Sequence, residues 1–565
     1  MLKKVFSLLD KKDKEKLLIL FLLDIGSMIV SLFGIAVIVP YIFILFEPSE
    51  AQSYPVFKNF VRLCPDDNNI KYLLAASGVV LVLYALSCAY RLFYDYISTR
   101  IMLKMLQKYS RYLLKWYYER PYDYFFTNHT ADIIHRYSVA ALNLINGILV
   151  AALELAAKVL TLILLVLLLF IMGREEVLIP IAFLAVLCLW MYELTKDKVQ
   201  DYSRQMNEIG RWRSIKLQES FRGITELRMS GKTDMAYGWQ VQGENESYRV
   251  HIKRNLLMSA PNLLIDIFTL IMVLAVLLIS YTITGDLKDG IVVLSVTISA
   301  ALQIRDTVME IFGSFHEIRQ NAGAYEEVFD ELEAATKEGR SEKSTKNKVP
   351  DFEESIEVKK ATYHYPGFEE IVLENFNLKI KKGEMIGFKG TSGGGKTTLI
   401  KLILGLLCPN EGEVLLDGKN IDQFGDDYLQ LFGYVPQDIF LMDMTIAQNI
   451  AMEDDYKNID MDKVRRALEV AQLWDFVSSL SEGVHTNIGE NGVRLSGGQR
   501  QRLGIARAIY GNVKILVFDE STNALDKKTQ EQFIETIRAL KNKYTIIMIA
   551  HSDDALKYCD RVVEI

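Results

Sequence analysis

Gly390-Thr391-Ser392-Gly393-Gly394-Gly395-Lys396-Thr397 has the spacing G-x-x-x-x-G-K-[ST] of a loop that cradles phosphates. Glycines let the backbone approach a ligand. Backbone N–H groups from Gly393 to Thr398 would face the β- and γ-phosphates at a helix N-terminus. Lys396 offsets phosphate charge, and the Thr397 hydroxyl is suited to ligate Mg²⁺. Some 120 residues later, Ile515-Leu516-Val517-Phe518-Asp519-Glu520 reads as an apolar strand ending in two carboxylates. Asp519 is placed to hold Mg²⁺, directly or through water, and Glu520 to polarise an attacking water. An apolar run closed by Asp-Glu is common alone; after a phosphate loop it is specific. Between the two lies Leu495-Ser496-Gly497-Gly498-Gln499.

These groups need a scaffold of short strands and helices. The stretches IEVKKATYHY, FNLKI and MIGFKG read as strands, and a helix is expected from Lys396, the order the loop motif requires. Upstream, residues 334–350 (ATKEGRSEKSTKNKVP) are polar and read as a flexible linker. The chain of 565 residues thus divides into 1–333, the linker, and an ATPase half at 351–565.

The first part is membrane sequence. A spanning helix needs about 20 apolar residues, and six stretches qualify: Leu17–Phe46, Tyr72–Ser98, Leu142–Met172, Val177–Leu194, Leu256–Thr284 and Ile291–Phe312. Lys and Arg crowd the N-terminal segment and the second-to-third and fourth-to-fifth connections, which places these and the ATPase half in the cytoplasm. The expected location is the cell (inner, cytoplasmic) membrane. From Tyr72 to about Tyr118 one helix can run on, roughly 70 Å at 1.5 Å per residue. The next connection doubles back near Gly223 and Gly231. The tips, near 119–128 and 221–231, carry aromatic residues suited to a groove on another domain. Tyr54, Phe57, Phe60 and Val61 suggest a short amphipathic helix at the outer interface. The net charge of −7 argues against a nucleic-acid partner, and the five scattered cysteines form no metal spacing.

Charged residues inside spans are functional candidates. Glu154 and Lys158 are four apart and can pair on one helix face. Asp24 and Asp266 read as packing or cavity polar groups. Arg91 and Arg305 lack an obvious neutralising neighbour along their helices. Two readings stand for them: contacts to an anionic head group in a cavity, or snorkelling and interhelical pairing.

The C-terminal motifs resemble the nucleotide-binding domain of ATP-binding cassette (ABC) transporters from about Phe352 onward. That resemblance implies ATP and Mg²⁺ as ligands. It implies Tyr365 on adenine, Gln437 touching Mg²⁺ and the membrane domain, and Ser496 and Gly498 contacting the γ-phosphate held by a second copy, with Gly497 and Gln499 in the same nucleotide-binding signature. It also implies Asp526 at the dimer interface and His551 as switch histidine beside the γ-phosphate. Thr486-Asn487-Ile488-Gly489-Glu490 matches the exporter segment before the signature. Six spans, long cytoplasmic helices and a C-terminal ATPase resemble the exporter branch: a six-helix α transmembrane domain followed by an α/β P-loop domain. One chain carries half a transporter, and its intact motifs favour a homodimer. The N-terminal MLKK, the SLFGIAVIVPYI stretch and the external helix resemble PglK-type flippases, implying a polyprenyl-diphosphate-linked oligosaccharide as cargo. Export of a peptide, drug or other lipid is the alternative, and a non-pumping ATP-gated channel or regulatory subunit the second.

Overall fold

The computed structural model describes residues 1–46, 69–171, 178–284, 287–340, 349–391, 393–519, 527–541, 543–550 and 556–565. The external segment at 54–64 lies outside them. The described chain forms two compact units: Met1–Glu119 with His129–Glu342, and Arg120–Asn128 with Lys343–Ile565.

The first unit is helical. Its elements are α1 (Leu2–Leu8), α2 (Lys11–Phe46), α3 (Asn69–Tyr118), then, beyond the tip α4 (Tyr124–Thr127), α5 (Thr130–His135), α6 (Ala141–Leu144) and α7 (Ala151–Ile171). They continue through α8 (Leu178–Arg222), α9 (Ile224–Met229), α10 (Thr233–Thr284), α11 (Leu287–Gln320) and α12 (Ala322–Arg340). Among the described residues, Val80–Tyr118, Thr130–Leu167 and Thr233–Ala275 are long and apolar enough to cross a membrane. Helices α2, α8 and α11 run through the first, fourth and sixth apolar stretches. Helix α3 is one piece of 50 residues, free of the glycines and prolines that would stop it after Gly78. Two π-helical turns, Arg136–Ala140 and Ile145–Val150, flank α6.

Packing between these helices is by small apolar seams. Leu165 of α7, Ile265 of α10, and Ile304 and Val308 of α11 form one buried cluster. Charges pair across helices. Lys158 meets Glu310 of α11 at 2.8 Å, so the expected Glu154–Lys158 pair along α7 is replaced by a partner on the neighbouring helix. Glu154 lines a small recess with Asp24 and Tyr94. Arg305 Nε lies 2.6 Å from Asp266 Oδ1, an ion pair between α11 and α10. Of the two readings for Arg305, the structure shows interhelical pairing. Arg91 is exposed on α3.

The linker begins later than its composition suggests. Helix α12 continues to Arg340, so residues 334–340 are helical. Ala334, Ala335 and the Glu333–Lys337 pair at 2.9 Å favour that extra turn.

The second unit holds two sheets. An antiparallel sheet, in the order β2-β1-β4-β5, contains β1 (Ser355–His364), β2 (Ile371–Lys381), β4 (Glu411–Leu416) and β5 (Lys419–Asn420). A sheet in the order β6-β7-β8-β3-β9 contains β3 (Met385–Lys389), β6 (Phe432–Val435), β7 (Ile515–Asp519), β8 (Thr545–Ile549) and β9 (Arg561–Glu564). All its pairings are parallel. Strands β7 and β8 are buried at every residue, as expected for parallel strands covered on both faces. Helices α13 (Lys396–Ile403), α14 (Ile446–Ala451), α15 (Met461–Val470), α16 (Trp474–Ser479), α17 (Gly497–Tyr510) and α18 (Lys527–Leu540) complete the unit.

Candidate nucleotide site

The phosphate loop joins the C-terminal end of β3 to α13, the edge of a parallel sheet where ligands bind in such folds. Gly393 and Gly395 both adopt φ +89°, which side chains at those positions would resist. Gly395 is the N-cap of α13, so the first N–H groups of that helix open toward the loop. Lys396 is buried, and its Nζ donates to the carbonyls of Gly390 at 3.0 Å and Thr391 at 2.7 Å. Its charge is thereby held inside the loop. Ser392 lies outside the described residues.

Strand β7 brings Asp519 to the same edge. The register Phe388↔Ile549 and Asp519↔Ile549 aligns the ends of β3, β8 and β7. Thr397 Oγ1 donates to Asp519 Oδ1 at 3.4 Å. A hydroxyl and a carboxylate brought together at a phosphate loop are hard oxygen donors, a set that fits Mg²⁺ completed by phosphate and water. Asp519 is itself held by Tyr434, whose hydroxyl donates to Oδ2 at 3.1 Å. Burial, and then the Asp519 charge, push the Tyr434 phenol well above its ordinary range, so it remains a donor. Sequence reading missed Tyr434. Its signal is a phenol inside the apolar run FGYV, three residues before Gln437.

Glu520, Asp526 and His551 lie outside the described residues. Glu520 follows Asp519 directly, and β8 ends two residues before His551.

Ser496 and Gln499 form a capping box at the start of α17. Ser496 Oγ accepts from the Gln499 N–H at 3.3 Å, and Gln499 Oε1 accepts from the Ser496 N–H at 2.8 Å. Ser496 is exposed, so the positive end of a 14-residue helix faces outward with its geometry already fixed. Such an end can receive a phosphate presented by another molecule. Gln437 is not far from it. It lines a cleft of about 440 Å³ with Asn491, Gly497 and Arg500. Behind this cleft, Asn449 is fully buried and its Nδ2 donates to the carbonyls of Met442, Met444 and Thr445. Arg507 of α17 donates to the Asn449 carbonyl, to its Oδ1 and to the Phe440 carbonyl. The segment after Gln437 is thus tied to the helix that begins at Gly497.

Tyr365 stands beside the phosphate loop. Its hydroxyl lies 2.9 Å from Thr398 Oγ1. The ring meets Phe126 edge to face at 5.4 Å and Tyr363 at 5.2 Å. Phe126 belongs to the tip 120–128, which groups with this unit. Lys401 lies over the rings of Tyr122 and Phe126 at 5.3 and 5.5 Å, and the Tyr363 hydroxyl donates to Asp123 Oδ1 at 3.4 Å. Lys401 had no sequence signal beyond its place on the helix that follows the loop. The other tip shows Phe221, Ile224 and Met229 exposed.

Comparison with known proteins agrees with this geometry. Residues 373–523 match the ABC transporter family. The ATP-dependent lipid A-core flippase of Ralstonia nicotianae is 42% identical over 204 residues, 36% of this chain and 34% of that protein. The leukotoxin translocation ATP-binding protein LktB of Mannheimia glucosida is 35% identical over 282 residues, 50% of this chain and 39% of that protein. The chain therefore spans 34 to 39% of the length of these relatives. The solved structure of a bacterial Atm1-family ABC exporter with ATP bound superposes with a TM-score of 0.77 at 17% identity, covering 98% of this chain and 93% of that one. Residues 373–523 thus match the ABC transporter family, on a chain that shares the fold of that ABC exporter.

Proposed function

We propose that the chain is an ATP-driven exporter that works as a homodimer and moves an amphipathic lipid-linked cargo from the cytoplasmic to the outer side of the membrane. The observation that carries the ATPase reading is the convergence of Lys396, Thr397, Asp519 and Tyr434 on one sheet edge. Thr397 and Asp519 would hold Mg²⁺, which supplies charge neutralisation at the transferred phosphate. Glu520, next in sequence after Asp519, would orient the water that attacks the γ-phosphorus and take its proton as the bond to the β-phosphate oxygen breaks. His551 and Gln437 would sense the γ-phosphate and the cation, and Tyr365 would face adenine. The exposed, pre-capped terminus at Ser496 supports a site completed by a second copy, with Gly497, Gly498, Gln499 and Asp526 at that junction. Two nucleotides would draw two ATPase halves together, and the tips near 119–128 and 221–231 would pass that closure to the spans, opening the cavity outward.

For cargo, the similarity to a lipid A-core flippase supports a lipid with an anionic head group, of which a polyprenyl-diphosphate-linked oligosaccharide is the specific proposal. Arg91 remains a candidate contact. Arg305 would reach a diphosphate only by sharing or leaving Asp266. The similarity to a leukotoxin translocation protein supplies the competing reading, a polypeptide cargo.

The test is translocation of a labelled polyprenyl-diphosphate oligosaccharide in proteoliposomes, wild type beside Glu520→Gln. ATP-dependent flipping that disappears in the variant is expected. Brisk hydrolysis in Glu520→Gln would sink the catalytic assignment. Robust hydrolysis by the wild type without flipping would reject this cargo and turn the assay to lipid A-type lipids and peptides.

A further inference from the structure

A cavity of about 630 Å³ opens in the helical unit beside α1. Volumes of this size hold small-molecule ligands. Its wall is largely apolar, from Leu2, Tyr192, Phe315, Ile318 and Tyr325 among others, and Lys3 and Arg319 share the lining. Arg319 Nε donates to the Tyr192 hydroxyl at 3.3 Å and Nη1 to Gln200 Oε1 at 3.0 Å. Both partners are neutral, and among the described residues no carboxylate lies within ion-pair distance of this guanidinium. The acids around it are partly spoken for: Glu326, which lines the cavity, pairs with Arg204 at 2.8 Å, and Glu193 pairs with Lys196. Asp197 also acts on Arg319 through space.

Sequence position fixes the depth. Tyr192 comes two residues before the fourth apolar stretch ends at Leu194, and Phe315 three residues after the sixth ends at Phe312. Both ends face the cytoplasm by the distribution of Lys and Arg. Helix α1 buries Val5 and Leu8 and exposes Lys3 and Lys4, the pattern of a helix lying in a head-group layer. An apolar chamber with two cations and one acid already paired to Arg204, at that level, suits a hydrocarbon chain bearing a phosphate.

We infer that this cavity binds an anionic phospholipid from the cytoplasmic leaflet, its phosphate on Arg319 and Lys3 and the first part of its chains against Leu2, Phe315 and Ile318. A guanidinium offers paired N–H groups to a phosphate, which a zwitterionic head group would use less well because its own cation competes. Binding is a property of the resting protein and needs no nucleotide. It stands apart from the identity of the exported cargo.

The experiment is native mass spectrometry of the full chain in detergent micelles without ATP. The probes are dioleoyl phosphatidylglycerol, dioleoyl phosphatidylcholine and inorganic phosphate, against wild type, Arg319→Gln, Arg319→Lys and Leu2→Trp. Wild type should retain phosphatidylglycerol over phosphatidylcholine. Arg319→Gln should weaken the anionic lipid about tenfold and leave phosphatidylcholine unchanged. Arg319→Lys, which keeps the charge without the paired N–H groups, should recover only part of the loss, and Leu2→Trp, which fills the chamber from α1, should displace the lipid with basal ATPase intact. Equal retention of both lipids in every variant would reduce the effect to unspecific annular lipid and overturn the assignment. Competition by inorganic phosphate at the lipid's own concentration would overturn it too, because the site would then read a free anion. Failure would leave the export reading standing, since lipid retention is read without ATP.

Discussion

Tyr434 donates a hydrogen bond to the carboxylate that also accepts one from Thr397, so the orientation of Asp519 is set from two sides. Removing only that hydroxyl, in Tyr434→Phe, keeps the ring and loses a hydrogen bond to a charged group, worth ~1.5–3 kcal/mol. The Mg²⁺ concentration for half-maximal ATP hydrolysis should rise roughly tenfold, while metal-free nucleotide binding stays put. An unchanged Mg²⁺ titration would mean that Tyr434 only fills space. In the spans, Arg305 and Asp266 should behave as one unit. Each single change, Arg305→Asp or Asp266→Arg, should lower the melting temperature of the detergent-solubilised protein, and the double exchange should recover most of it. If Arg305 serves the cargo alone, the exchange will not restore stability. The sequence showed Lys396, Thr397 and Asp519 because each is demanded by phosphate chemistry at a set spacing. It hid Tyr434 and the Arg305–Asp266 pair because their partners are 85 and 39 positions away, a relation created only by strand register and helix packing.

Helix α17 is anchored at both ends of its function. Its first turn is fixed by Ser496 and Gln499, and its body is tied through Arg507 to the buried Asn449. Asn449→Ala would take the acceptor from the Met442 N–H, one of the acceptors from the Arg507 guanidinium and a second donor from three carbonyls, and should cost this unit about 1–3 kcal/mol, visible as an earlier thermal transition. The pH contribution of this unit includes Glu357, whose carboxyl Lys379 and Lys359 hold below its ordinary value, and Asp560. Lys541 and the Met385 N–H hold the Asp560 carboxyl below its ordinary value, so its contribution is present above pH ~4 and fades as pH falls through the lowered value. Acid unfolding of Asp560→Asn should lose that part of the pH slope. At this scale the long helix α3 and the strands around the phosphate loop were readable, since helix formers without breakers and short apolar runs declare themselves. The π-helical turns beside α6 were not. No residue in RYSVA or INGILV asks for them, and Gly147 there packs tightly enough on Asn321 that a methyl group would reach within 2.1 Å of its Nδ2. The end of α12 was misread because Glu333, Lys337 and the alanines serve a helix as well as a linker.

On the scale of the molecule, the division of the chain by composition and its division by packing differ. Composition assigns residues 120–128 to the membrane half, whereas packing groups them with the ATPase half. Lys401→Glu should loosen the Tyr122 and Phe126 rings from that helix. ATP affinity should hold within about twofold while transport per ATP hydrolysed drops several-fold, measured by paired flux and phosphate release. A parallel fall in both would show that the tip supports the nucleotide site itself. Tyr365 touches both the tip ring and the Thr398 hydroxyl. Any survey of inherited or selected variants that sorts positions by their place along the chain will therefore misfile this short segment. Changes at Tyr122, Asp123 or Phe126 will surface as lost coupling at the nucleotide-binding half, although by sequence they lie between two spans.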